Sequence, residues 1–324
     1  MEVQANYIRR IEIHGLWHRY DIAWELRPDV NILSGINGVG KTTILNRSVG
    51  YLEQTTGEVK SDEKNGVHVF FDNPEATFIP YDVIRSYDRP LIMGDFTARM
   101  ADPNVKSELD WQLYLLQRRY LDYQVNIGNK MIELLSGDEQ QRSLAPALSV
   151  PKRKFQDMID ELFSYTRKKI DRKSNDIVFY QDGERLLPYK LSSGEKQMLV
   201  ILLTVLVRNE EHCVLFMDEP FSALDAVLRE HLQHFLKQLR ERHPCTMVFV
   251  THDIGEAVYL GQHIMLLGAR PSRVAAFGAN PSFTDNANVD VRGTDAFYAV
   301  QRRLHNAVAA GRAGQELHLT DGAW

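Results

Sequence analysis

The sequence holds only two cysteines, Cys213 and Cys245, and neither belongs to a C-x-x-C pair. That argues against a disulfide-stapled scaffold or a zinc site, and it predicts a reducing, cytoplasmic address. A basic excess is also missing, since 38 Lys and Arg stand against 43 Asp and Glu for a formal charge of -5. The chain as a whole therefore lacks the charge of an obligate nucleic-acid binder, although a basic patch fits inside a near-neutral total. Long apolar runs are absent as well. The longest, Met198 to Val207, is about half of a bilayer span. The N-terminus carries Glu2, Arg9 and Arg10 where a signal peptide needs an apolar stretch, so no direct membrane insertion is expected. No internal repeat or low-complexity tract stands out. What is present, 44% hydrophobic and 25% charged over 324 residues, is an ordinary globular composition with material for one large core or two small ones.

The pattern of apolar residues gives an α/β order. Alternation over Tyr7 to Ile13 and Ile22 to Leu26 predicts an antiparallel strand pair joined through Trp17 to Tyr20. Val30 to Ser34 and Val67 to Phe71 read as further strands, with a helix from Lys41 to about Leu52 between them. From about Asp95 to Ser174 the texture changes to charged helix. Leu109, Leu113, Leu116, Tyr120 and Tyr123 recur at three and four, and Phe155, Ile159, Leu162 and Tyr165 do the same. Pro146 and Pro151 between them are expected to break regular structure. Beyond this stretch, strands at Ile177 to Tyr180, Cys213 to Met217, Met247 to Val250 and Ile264 to Leu267 alternate with helices at Gly194 to Val207 and Ala226 to Arg240. That order predicts a mostly parallel sheet, followed by a helix from Ala296 to Ala309.

Two motifs carry chemistry by themselves. Gly35-Ile36-Asn37-Gly38-Val39-Gly40-Lys41-Thr42-Thr43 fits G-x-x-x-x-G-K-[ST] and follows the strand Val30 to Ser34. Glycines let the backbone curl so that N–H groups and a helix N-terminus face a phosphate chain; Lys41 adds a point charge and the Thr42 hydroxyl is placed to hold magnesium. Val214-Leu215-Phe216-Met217-Asp218-Glu219 is an apolar strand ending in two acids, the form of a Walker B segment. Asp218 is expected to hold Mg2+ through water, and Glu219 to take the proton of an attacking water as the γ-phosphoryl group leaves. ATP with Mg2+ is the expected ligand.

At Leu191-Ser192-Ser193-Gly194-Glu195-Lys196-Gln197 the chain resembles the ABC class of ATPases, whose signature reads L-S-G-G-Q or L-S-G-G-E. Pro220-Phe221-Ser222-Ala223-Leu224-Asp225 resembles the D-loop of that class, and Thr251-His252-Asp253 its switch histidine. The resemblance implies an ABC-type P-loop fold in which 1–94 and 175–270 form the nucleotide-binding core, 95–174 a helical insertion and 271–324 a tail with one helix. It further implies a homodimer in the ATP state, where Ser192, Gly194 and Asp225 of one copy complete the site of the other, with Glu219 and His252 catalytic. An aromatic from the first strand pair, Tyr20 or Trp17, is expected on the adenine. Two departures stand out. Ser193 occupies the place of a glycine and is strained if that place needs a positive φ. No glutamine follows Val67 to Phe71, which leaves Val83 to Asp88 as the candidate Q-loop.

The two halves resemble different relatives. The phosphate loop, the long helical stretch and the wording L-S-S-G-E-K-Q look like stand-alone soluble ATPases of the SMC, Rad50 and RecF group, which act on DNA or in bacterial defence. From Asp218 onward the sequence resembles the nitrate, sulfonate and taurine importer ATPases. The charged helices between Lys41 and the signature exceed what an importer subunit requires, so the reading leans to a stand-alone ATPase with a DNA or effector partner. The alternative is an importer subunit with a membrane permease. The basic clusters Lys152 to Lys154, Arg167 to Lys169 and Arg172-Lys173 read first as solvated faces of the insertion, with a nucleic-acid or partner surface as the minority reading, and a DNA-working ATPase is expected to use them.

Overall fold

The computed structural model describes residues 2–16, 20–55, 66–86, 103–208, 212–240, 245–268, 274–284, 286, 289–311 and 317–318. They divide into two compact units. One comprises Met1–Arg85, Glu210–Pro220 and Gln233–Trp324, the other Ser86–Asn209 and Phe221–Leu232.

In the first unit, β1 (Ile8–Leu16) pairs antiparallel with β2 (Tyr20–Glu25), as the alternation predicts. Ile11 and Ile13 are buried on one face, and Ile8, three positions back, joins them because the pairing slips between Ile8 and Arg10. β4 (Val67–Phe71) is a strand, but it flanks β1 antiparallel in this small sheet and takes no part in the parallel one.

The main sheet is built on β3 (Val30–Gly35), β5 (Tyr81–Arg85), β9 (Cys213–Asp218), β10 (Cys245–Thr251) and β11 (His263–Leu267), all parallel in the order β11-β3-β10-β9-β5. β3, β9 and β10 are buried at every position, which is why they read as continuous apolar runs. Some strands of this sheet were illegible in the sequence. β5 sets Tyr81, Val83 and Ile84 beside Asp82 and Arg85, and β12 (Val274–Ala279), antiparallel to β11, is rich in Ala. β13 (Leu317–His318) extends the edge beside β12. The helix α1 (Lys41–Thr55) starts directly after the glycine loop, and its Ile44, Leu45, Val49 and Leu52 enter the core beside Leu33, Phe216 and Val250.

The second unit holds α2 (Glu108–Ser136), α3 (Glu139–Leu144), α4 (Val150–Leu162), α5 (Ser193–Arg208) and a small antiparallel sheet of β6 (Lys168–Ile170), β7 (Phe179–Gln181) and β8 (Glu184–Leu186). Leu109, Leu113, Leu116, Tyr120 and Tyr123, the periodic set, are the buried apolar residues of α2. Phe155, Ile159 and Leu162 are buried in α4, but the helix stops there. Tyr165 falls in the following 3-10 turn and is 77% exposed, while Phe163 takes the buried place. Pro146 and Pro151 do not open a loop. Each stands in the first turn of a helical segment, 145–149 and 150–162, where a missing N–H costs nothing. The long apolar run of the sequence is α5, buried from Glu195 to Thr204, and among the described residues no helix is long and apolar enough to cross a membrane.

α2 is fastened to α5 by charge as well as by packing. Ser107 and Asp110 form a capping box at the start of α2. The second Asp110 oxygen lies 2.8 Å from Lys196 Nζ on α5, both side chains being nearly inaccessible. Asp110→Ala removes a cap and strands a buried ammonium, so a loss of about 3–5 kcal/mol is expected, read as a lower urea midpoint of unfolding. An unchanged midpoint would show that the pair contributes nothing.

Candidate functional site

The first site grows out of the end of β3. After Gly35 the chain turns through Gly38 and Gly40, whose φ values of 77° and 101° are open to glycine and strained for other residues. Asn37 is exposed, Val39 is buried beneath the loop, and Thr42 and Thr43 stand half-buried in the first turn of α1. Lys41 Nζ donates to the carbonyls of Gly35 at 2.8 Å and Ile36 at 3.3 Å. It also lies 3.6 Å from a Glu219 oxygen. Burial pushes the Lys41 ammonium below the usual lysine range, and the nearby Glu219 and Asp218 carboxylates oppose that.

β9 delivers the acids because it lies parallel beside β10, with Asp218 opposite Val250. The Thr42 hydroxyl donates to Asp218 Oδ1 at 3.2 Å. Burial raises the Asp218 pKa, with the Thr42 hydrogen bond acting against it and the Glu219 charge adding to it. Glu219 leaves the strand at φ 51°, a left-handed conformation unusual for a side chain with a Cβ, and is held there by its N–H donating to Val250 O at 2.9 Å. That kink turns its carboxylate between Lys41 and the residue after β10. His252 Nδ1–H donates to Glu219 Oε2 at 2.6 Å, and the His252 backbone N–H reaches the same oxygen at 3.3 Å. Asp253 caps α7 (Ile254–Leu260), accepting from Gly255 and Glu256, and so fixes the turn that presents His252.

The structure thus brings Lys41, Thr42, Asp218, Glu219 and His252 into one chain of contacts. Direct pairing of Glu219 with His252 was not visible in the sequence, where they are 33 positions apart. Arg85 was expected only as part of the candidate Q-loop, with no role of its own. It ends β5, donates to Asn46 Oδ1 on α1 at 2.9 Å and adds positive charge near Asp218. Its place became visible only with β5 as a neighbour of β9. The candidate Q-loop, Val83 to Asp88, begins as that strand; Tyr87 and Asp88 lie outside the described residues, as does Trp17. Tyr20 opens β2 opposite Leu16, and its side chain is likewise outside the described set.

The second unit gathers the signature and the D-loop. Ser192 precedes α5, and its hydroxyl accepts the Glu195 N–H at 3.3 Å while the Glu195 carboxylate accepts the Ser192 N–H at 3.0 Å. Ser193 is the first residue of the helix. Among the described residues only Arg167, Asp182 and Glu219 combine a side chain with positive φ, so the strain expected at Ser193 is absent. Gly194 is required sterically: a Cβ there would stand 2.9 Å from the Ala223 carbonyl. Asp225 accepts the Leu228 N–H at 3.0 Å and caps α6 (Ala226–Arg240). Ser222 Oγ donates to Ser86 Oγ at 2.9 Å.

The basic clusters divide in this unit. Lys168 is half-buried and paired with Glu195, Arg172 is paired with Asp157 and Asp160, and Lys152 bonds Gln124. Arg153, Lys154, Lys169 and Lys173 are exposed.

The family model described as "ABC transporter" matches residues 21–222. The aliphatic sulfonates import ATP-binding protein SsuB of Bacillus subtilis (strain 168) is 35% identical over 134 residues, 41% of this chain and 47% of that protein. SsuB 1 of Pseudomonas savastanoi pv. phaseolicola (strain 1448A / Race 6) is 43% identical over 88 residues, 27% of this chain and 36% of that protein. The chain spans less than half the length of these two relatives. Among solved structures, the SmcHead bound to the C-winged helix domain of ScpA shares the fold with a TM-score of 0.51 at 14% identity, covering 83% of this chain and 96% of that one.

Gly194→Ala tests the close contact between the signature and the D-loop. Either α5 or the Ala223 carbonyl must shift, and a loss of about 1–3 kcal/mol is expected, measured by denaturant unfolding. A fully stable variant would show that the contact gives way without cost.

Proposed function

The chain belongs to the ABC transporter family, and on that premise we propose that it binds ATP with Mg2+ at the phosphate loop and hydrolyses it to ADP and phosphate. The observation that carries the proposal is the unbroken contact chain from Lys41 through Glu219 to His252, with Thr42 and Asp218 side by side beneath it. Lys41 exchanges its loop carbonyls for β- and γ-phosphate oxygens. The Thr42 hydroxyl and the Asp218 carboxylate are adjacent oxygen donors, a set that suits a hard cation completed by water and phosphate. When bound, Mg2+ neutralises charge building on the phosphate oxygens. Glu219, oriented by His252, accepts the proton of the attacking water. His252 would also reach a γ-phosphate oxygen, and Tyr20 or Trp17 would stack on the adenine.

The Ser192 hydroxyl and the N–H groups opening α5 form a second half-site for an anion. We place it over the γ-phosphate of another copy, so that two copies join head to tail around two ATP and hydrolysis needs the dimer. Glu219→Gln keeps the geometry but cannot take the proton. It should bind ATP, lose about a hundredfold or more of its turnover, and elute as a dimer with ATP and Mg2+ on size exclusion. Adding Ser192→Arg should return it to monomer. Wild-type turnover in Glu219→Gln would remove Glu219 as the base, and monomer in both variants would remove the head-to-tail arrangement.

For the partner we favour a stand-alone ATPase working with DNA or a defence effector, supported by the exposed Arg153, Lys154, Lys169 and Lys173. The alternative, the ATP-hydrolysing subunit of an importer for nitrate- or sulfonate-type solutes with a membrane permease, is supported by the local identity with the SsuB proteins. Duplex DNA separates them. Binding by the ATP-bound dimer that falls steeply between low and high salt supports the first reading, and no binding at low salt supports the second.

A further inference from the structure

The signature serine is not held by its own helix alone. Glu195, whose side chain is 4% exposed, divides its two oxygens between different elements. Oε2 accepts the Ser192 N–H at 3.0 Å and the Ser192 hydroxyl at 3.1 Å. Oε1 accepts from Lys168 Nζ at 2.8 Å and from the Thr166 hydroxyl at 2.9 Å. Lys168 opens β6, and Thr166 ends the turn after α4. Burial by itself raises the Glu195 pKa, yet the bonds from Lys168, the Ser192 N–H and Thr166 overcome that and hold the carboxyl below the usual range. The group is therefore a buried anion whose countercharge comes from a different segment of the chain.

We propose that Lys168 is a positioning residue for the second half-site: it neutralises Glu195 so that Ser192 can offer its hydroxyl to a polyanion. The inference rests on the head-to-tail reading above. In that arrangement the Ser192 hydroxyl turns from Glu195 to a γ-phosphate oxygen of the other copy, which places two anions on either side of one serine. Like charges at such separation repel strongly in a site shielded from water. With Lys168 in contact, the Glu195 carboxylate presents little net charge, and its Oε2 still fixes the Ser192 backbone. Thr166 also holds Oε1. The contact is a buried pair, so loss of the cation alone leaves an uncompensated carboxylate beside the phosphate.

The test uses the full chain in the Glu219→Gln background with ATP and Mg2+, reading the protein concentration at half-dimer by analytical ultracentrifugation. Lys168→Met should raise that concentration about tenfold or more, equivalent to about 1.4 kcal/mol. Lys168→Arg should restore it. Glu195→Gln should dimerise at least as well as the background, because an amide oxygen still receives the Ser192 N–H without the repelling charge. The double change Lys168→Met with Glu195→Gln should recover most of the loss, because no uncompensated carboxylate then stands beside the phosphate. Nucleotide affinity at the phosphate loop of the first unit reports folding independently, and Glu195→Gln alone decides the matter should Lys168→Met fail to fold. Unchanged dimerisation in Lys168→Met, a double variant no better than the single, or loss of the dimer in Glu195→Gln would each overturn the proposal. Absence of a dimer in the background itself would instead overturn the head-to-tail reading.

Discussion

Lys41, Asp218 and Glu219 are three charges at one edge of a parallel sheet, and their mutual compensation is the constraint on which the site depends. Lys41 is buried at 6% exposure and Asp218 is fully inaccessible. Removing either sign would leave the other stranded away from water, a larger penalty than the attraction between them is worth as stability. The arrangement persists because the sheet holds both ends. β3 supplies the ammonium through the glycine loop and β9 the carboxylates, with β10 between them to carry His252 to Glu219. On the reading proposed above, a phosphate chain would take the place of the loop carbonyls that Lys41 now contacts.

The same logic recurs in the second unit at smaller scale. α5 is apolar nearly all round and must be buried, yet it opens on polar residues. Those residues are kept from costing stability by pairs with other elements: Lys196 with Asp110 on α2, Glu195 with Lys168 on β6. Each pair fastens the signature end of α5 to a different part of the unit. The charged stretch before the signature therefore does more than lengthen the chain, because two of its residues are countercharges for the segment that follows.

The short segment after Glu219 shows how backbone demands and chemistry coincide. Glu219 needs φ 51° to turn its carboxylate off the strand axis, Gly194 must lack a Cβ for the Ala223 carbonyl to approach, and Asp225 caps the helix that follows. Each of these three positions bears on how the site or signature is held.

Much of this was fixed by local rules and so was legible in the sequence. The glycine loop followed from the spacing of Gly35, Gly40 and Lys41, the buried strands from continuous apolar runs, and the face of α2 from Leu109, Leu113, Leu116, Tyr120 and Tyr123, because periodicity and φ requirements act over a few residues. Where a local rule was extended past the end of its element it failed: the helical spacing was carried to Tyr165 although the helix had stopped at Leu162. Strands made of weakly apolar residues, β5 and β12, went unseen because their burial comes from neighbours. The Glu219 to His252 contact, the place of Arg85 near Asp218 and the Lys168 to Glu195 pair were decided only by the tertiary structure. They join residues far apart in the chain through strand order and unit packing, and a charge carries no local mark of the partner that will neutralise it.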